Sequence, residues 1–187
     1  FPRDPLSLAG RPLQWPGANP RFPLGTDNSG RDIAAQIFHG ARVSLLVGLS
    51  ATLFATTLGV TLGLLAGYLG GKLDALLMRI CDVQLTFPSI LVALLIDGVV
   101  RAALPREVHD QIALFVVIFA IGISEWPKFA RTVRGSTMVE RNKEYVQAAR
   151  VIGVSPPRIM LSHVLPNVLG PVLVIATLNL GLAILSE

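Results

Sequence analysis

Long uncharged runs alternate along this chain with short stretches that hold nearly all of its charge. Val43 to Gly71 contains no Asp, Glu, Lys or Arg. As a helix it would measure about 43 Å, against a bilayer hydrocarbon core of about 30 Å, and it is predicted to span a membrane over 43–71. Gly59, Gly63 and Gly67 recur at every fourth position, a smooth strip suited to ordinary close packing against another helix rather than to a dedicated dimer contact. A second span is predicted over 73–96. Its uncharged part, Val83 to Ile96, is too short alone, so the helix must start near Leu73, with Arg79 and Asp82 paired three residues apart and Pro88 kinking it. A third span is predicted over 111–129, interrupted near its end by Glu125-Trp126-Pro127, and a fourth over 164–186, carrying Pro166, Asn167, Pro171 and Asn179.

The segments between these runs read differently. Residues 1–30 are punctuated by Pro and Gly, so no helical or strand period survives, and an irregular extramembrane segment is expected. Arg31 to Ala41 predicts a short helix lying on the membrane surface, with Ile33, Ile37, Phe38 and Ala41 on one face and Asp27 or Ser29 as its cap. Residues 97–110 form a polar connection. A long polar stretch follows the third span, and within it Asn142 to Gly153 has the grammar of a short helix. Asn142 is placed to cap it, Glu144 lies in the first turn, and Gly153 suits the left-handed position past its end. Tyr145, Ala148, Ala149 and Ile152 fall on one stripe. So short a helix is marginal alone in water, so the stripe must dock, either on the protein's own membrane helices or on a separate cytoplasmic partner. Ser155-Pro156-Pro157 reads as the start of another helix.

Composition supports the same class. Of 187 residues, 52% are hydrophobic and 15% charged, with a mean hydropathy of +0.61; soluble domains carry about 25% charged residues. Phe at position 1 and the apolar run ending at Ser186-Glu187 predict a piece of a longer protein. The net charge of +4 does not point to nucleic acid, because the basic residues are not interleaved with stacking aromatics. Instead, seven Lys and Arg against two Glu gather in 128–158. Positive residues collect in cytoplasmic loops, which places that stretch inside, the 97–110 connection outside and residues 1–42 outside, the last despite five Arg against three Asp.

Candidate covalent chemistry is absent. Gly25-Thr26-Asp27-Asn28-Ser29-Gly30 lacks the Gly-Lys-Ser/Thr ending of a phosphate loop and reads as a turn into a capped helix; it also lacks the distal Glu of a calcium loop. His39, His109 and His163 have no metal-ligand spacing, and the lone Cys81 suits a buried apolar site. No catalytic residue, cofactor site or metal site is expected, and the chain is read as a non-enzyme. Asp97 and Glu125 are the acids available to an ion-coupled carrier or channel, and both fall near predicted span ends, where a solvated position is expected. A passive membrane scaffold would not account for the capped, striped helix. Gln84 and Asn179 read as interhelical hydrogen-bond formers.

Glu144-Tyr145-Val146-Gln147-Ala148-Ala149-Arg150-Val151-Ile152-Gly153, with His163-Val164-Leu165-Pro166-Asn167 downstream, closely resembles the EAA loop of ABC-importer inner-membrane permeases. Pro23-Leu24-Gly25-Thr26-Asp27-Asn28-Ser29-Gly30-Arg31-Asp32 and Gly40-Ala41-Arg42-Val43-Ser44-Leu45 look like the dipeptide/oligopeptide/nickel branch. The resemblance implies an all-α integral membrane protein, a permease helical bundle with four transmembrane helices visible of about six expected. It implies an external segment at 1–42, a transmembrane domain at 43–187, and a cytoplasmic EAA loop near 130–163 holding a short coupling helix. Glu144, Tyr145, Ala148, Ala149 and Gly153 would then seat in a groove of a cytoplasmic ATPase. The implied setting is the plasma (inner) membrane of a bacterium or archaeon. Implied partners are the ATPase subunits, a second homologous permease subunit, an external solute-binding protein and the lipid bilayer, with no nucleic acid. The implied solute is a di- or oligopeptide, with nickel or another small solute as the alternative.

Overall fold

The computed structural model describes residues 4–8 and 10–186. It is all-helical apart from an isolated bridge between Thr26 and Asp32. In chain order the helices are α1 (Ile33–Leu69), α2 (Gly71–Thr86), α3 (Ser89–Ala103), α4 (Arg106–Glu140), α5 (Glu144–Val151), α6 (Pro156–Ile159), a π-helical turn (Met160–Val164) and α7 (Leu165–Ser186). Three runs, Ile33–Leu69, Ile112–Glu140 and Pro156–Leu182, are long and apolar enough to cross a membrane; α2 and α3 pass the same test together as a pair bent by 92°, which makes up to four. Two compact units divide the chain, Phe1–Leu46 and Val47–Glu187.

In the first unit the Pro- and Gly-rich segment is irregular but tightly bonded. The Thr26 hydroxyl accepts the Gln14 N–H at 3.0 Å and donates to the Arg11 carbonyl, while the Gly10 N–H donates to the Gly30 carbonyl at 3.0 Å. Gly30 sits at φ +83°, and a Cβ there would strike the Gly10 carbonyl, so this turn requires glycine on both counts. Asp27 Oδ1 accepts the N–H groups of Ser29 and Arg31 at 2.8 and 2.9 Å, and its Oδ2 accepts from Gln36 at 3.0 Å. These bonds, that from Arg31 foremost, hold the Asp27 carboxyl below the usual range. The cap expected from Asp27 or Ser29 is provided by Asp32, whose Oδ1 accepts the Ala34 N–H at 3.0 Å.

The separate surface helix over 31–41 is not found: α1 runs unbroken from Ile33 to Leu69. No proline interrupts Phe38 to Val43, and Gly40 costs a helix only about 1 kcal/mol, less than the orphaned carbonyls of a helix end. The helix stops where Gly70 turns to φ +68°.

The second unit is built on α4. The strip of Gly59, Gly63 and Gly67 lies against it within the same chain; a Cβ at Gly67 would stand 2.7 Å from Thr137 Cβ, and one at Gly63 would be 2.9 Å from Val133 Cβ. The core around this contact includes Leu64, Tyr68, Phe129, Val133, Val146 and Val164, and Cys81 is fully buried as a free thiol.

The single second span over 73–96 is replaced by two helices. Pro88 bars Phe87 from the helical region (φ −91°, ψ 133°) and then opens α3 by accepting the N–H groups of Leu91 and Val92. α3 continues through much of the expected connection, with Asp97 and Arg101 paired at 2.6 Å on its surface. Asp82 pairs not with Arg79 but with Arg131 of α4 at 2.6 Å, and Asp74 accepts from Arg134 Nε and Nη2 at 2.6 and 2.7 Å.

The helix that carries the third span continues past 129. α4 passes straight through Pro127 to Glu140. A proline inside a helix leaves the carbonyl four residues back without its partner, here that of Ile123. Gln84 of α2 supplies the missing donor through Nε2, and its Oε1 accepts the Trp126 indole N–H at 3.0 Å. The fourth span is α7, and the π-helical turn ahead of it lets the helix widen just before Pro166.

Candidate functional site

The short helix read from the sequence exists as α5, between the end of α4 and the start of α6. Its C-terminus is closed by a Schellman motif: Gly153 adopts φ +82° and donates to the Arg150 carbonyl, while the Val154 N–H reaches back to Ala149, both at 3.0 Å. Asn142 does not cap the N-terminus. Lys143 takes the capping position without a side-chain bond, and the Asn142 amide turns back to the Met138 carbonyl at 3.0 Å.

The apolar stripe lies elsewhere on the helix than expected. Val146 and Ala149 face inward and are buried. Ala148 and Tyr145 are exposed, and Ile152 is 78% exposed beside Val151 at 86%. The two alanines therefore do different work: Ala149 packs on the bundle and Ala148 belongs to the outer face with Glu144. One face of α5 is covered by the protein's own helices, and the opposite face, with Glu144, Ala148 and Val151, is open.

Three contacts tie α5 to the membrane helices. The Tyr145 hydroxyl donates to Glu140 at the end of α4 at 2.6 Å and accepts from Asn167 of α7 at 3.3 Å; Asn167 also donates to the His163 carbonyl at 2.7 Å. Burial, followed by the Glu140 carboxylate, pushes the Tyr145 hydroxyl up to about 12. The Arg150 guanidinium stands 5.3 Å from the centre of the Tyr68 ring near the end of α1. Beside it, Arg141 donates to the carbonyls of Gly67 and Tyr68 at 2.8 and 3.2 Å, satisfying orphan groups at the negative end of α1.

The five residues singled out from the sequence thus share one helix and its cap, but the structure adds Glu140, Arg141, Val146, Arg150 and Asn167. Apolar residues stand on every side of α5, so periodicity had no means of choosing Val146 over Tyr145 as the buried one. The basic residues signalled sidedness in the sequence, while their partners Asp74, Asp82 and the α1 carbonyls lie far back in the chain. Among the described residues, no three His, Cys, Asp or Glu side chains gather as metal ligands would.

Residues 59–187 match the family of binding-protein-dependent transport system inner membrane components. The chain is 39% identical over 175 residues to the di/tripeptide transport system permease protein DppC of Pseudomonas aeruginosa, covering 93% of this chain and 54% of that one. It is 36% identical over 164 residues to the oligopeptide transport system permease protein OppC of Bacillus subtilis (88% and 50%). It is 41% identical over 163 residues to the glutathione transport system permease protein GsiD of Shigella flexneri (87% and 50%). The chain spans about half the length of the curated relatives it matches.

Proposed function

We propose that this chain, which belongs to the family of binding-protein-dependent transport system inner membrane components, works as a membrane-spanning permease subunit of an ATP-driven importer. It forms half of a translocation path for di- or oligopeptides and hydrolyses nothing itself. The observation that carries this reading is α5, buried on one face by Val146 and Ala149 and open on the other through Glu144, Ala148, Val151 and Ile152.

A cytoplasmic ATPase groove would take the open face. Ala148 admits close approach, Glu144 offers a polar anchor, and the exposed apolar pair supplies area to bury. Because α5 is bonded to the ends of α4 and α7 and stacked on that of α1, a displacement of the ATPase would be delivered to three membrane helices together. This reading places α5 in the cytoplasm of a bacterium or archaeon and residues 1–42 outside, where an external binding protein delivers solute. A second, related permease subunit completes the path. Similarity to carriers named for peptides supports a peptide over nickel.

Reconstitution of the intact transporter in proteoliposomes with its ATPase and binding protein tests this. ATP-dependent uptake of a dipeptide is expected, and Gly153→Val or Glu144→Lys abolishes uptake while membrane insertion is kept. Undiminished uptake in both variants would overturn the coupling role of α5. Uptake of nickel in place of peptide would overturn the solute.

A further inference from the structure

Two stripes run along α2, and only one of them is covered. Asp74, Met78 and Cys81 meet the rest of the bundle: Asp74 is bonded to Arg134, Met78 packs on the core and Cys81 is fully buried. On the other stripe Leu73, Leu76, Ile80 and Val83 recur at intervals of three, four and three residues, the spacing of a coiled-coil seam. All four are open, at 38%, 59%, 46% and 55% exposure. Residues 112–124 of α4 carry no charge, and charge returns at Glu125, Lys128, Arg131 and Arg134. The bonds from Arg134 to Asp74 and from Arg131 to Asp82 set α2 from 74 to 82 beside that charged end. Leu73, Leu76 and Ile80 therefore stand past the apolar part of α4, where charged side chains mark the edge of the hydrocarbon. An apolar row beyond that edge is a surface for protein contact.

Lys72 and Arg79 flank the row on one side, one heptad apart. Both are exposed, and neither has an ion-pair partner among the described residues. In a parallel pair of helices, charges on such a flank face the opposite flank of the partner and select it. We propose that Leu73, Leu76, Ile80 and Val83 pack against a parallel helix of the second permease subunit, one with apolar residues at matching spacing and carboxylates opposite Lys72 and Arg79. The proposal rests on the transport reading above and names the surface at which its two permease subunits meet. A second copy of this chain fits less well. Related by an axis along the membrane normal, its α2 would run parallel and set Leu77 and Gln84 opposite the two cations. Leu77 has no charge to offer, and Gln84 is already bonded to Ile123 and Trp126. An acidic flank on a related but different subunit satisfies both cations.

Photo-crosslinking of the intact transporter in its native membrane tests this. The photoreactive residue p-benzoylphenylalanine is placed at Leu76 and, separately, at Ile80, and the products of irradiation are identified by mass spectrometry. A covalent product with the second permease subunit is expected from both positions. Products with lipid alone, with the ATPase, with another copy of this chain or with another segment of the same chain overturn the seam, as does the absence of any product. The charge match is read separately. Arg79→Glu is expected to lower the amount of second subunit that co-purifies with this chain by about fivefold or more, whereas Arg79→Lys keeps it. Equal recovery with Arg79→Glu and with the unaltered chain refutes the acidic flank. If the purified transporter contains no second permease subunit at all, the transport reading itself fails; if the subunit is present and the crosslinks go elsewhere, the seam alone fails.

Discussion

The side-chain amide of Gln84 donates to the carbonyl of Ile123, the acceptor that Pro127 leaves without a partner inside α4. In lipid no water can take such a place, so one glutamine on α2 lets a proline sit inside a helix long and apolar enough to cross a membrane. It also positions Trp126 through a second bond.

Gln84→Leu should therefore leave two buried polar groups unsatisfied and cost about 1–3 kcal/mol for each, seen as a lower Tm of the detergent-solubilised protein. Adding Pro127→Ala to that variant restores an N–H able to reach Ile123, so the double variant should recover part of the loss. A double variant no more stable than Gln84→Leu would refute the pairing.

Gly63→Val should disrupt the seam between α1 and α4, because the added atoms meet the Ala130 carbonyl and Val133. Overpacking of this kind costs about 1–3 kcal/mol or more. Thermal unfolding would register it, with Gly135→Ala, where nothing stands within 4 Å, expected to show no loss.

The two faces of α5 should separate in one experiment. Val151→Asp and Ile152→Asp, on the open face, should leave the Tm of the solubilised chain within about 0.5 kcal/mol of unaltered stability and weaken ATPase co-purification. Val146→Asp buries a charge against the bundle and should instead reduce folded yield. If Ile152→Asp lowers folded yield as much as Val146→Asp, the division of faces is wrong.

Tyr145→Phe removes the hydroxyl shared by Glu140 and Asn167, a loss of about 1 kcal/mol at most given the exposure of the site. The fold favours the neutral hydroxyl, so its contribution is whole below the ordinary value of 10.0 and fades as pH rises through about 12. Melting curves should show the gap between unaltered protein and Tyr145→Phe constant from pH 7 to 9 and narrowing above 10.

For Asp27 the sign is opposite. The fold favours its carboxylate, so the loop it shapes is held above the usual Asp value of about 4 and loosens as pH falls below it. Asp27→Ala should speed limited proteolysis within residues 25–32 at neutral pH, and equal cleavage rates in the two proteins would argue against that role.

Much of this architecture was legible in local sequence. Hydropathy marked the membrane class, since a run such as Val43–Gly71 has no stable place in water. The spacing of Gly59, Gly63 and Gly67 foretold a close helix contact, and Gly153 foretold the end of α5, because each depends on one residue type at one spacing. Pro88 and Pro127 were read alike as interruptions and behave differently: Phe87-Pro88 breaks the chain by 92°, while Pro127 lies inside a continuous helix. What separates them is Gln84, which lies 39 residues before Ile123 and which no local pattern connects to it. The same distance hid the partners of Arg131, Arg134 and Arg141. By itself the sequence determined which segments belong in lipid and where the short helix stops, because transfer free energy and backbone conformation act residue by residue. The tertiary structure alone decided which face of α5 is buried and which charges meet, because those outcomes depend on groups that only folding brings together.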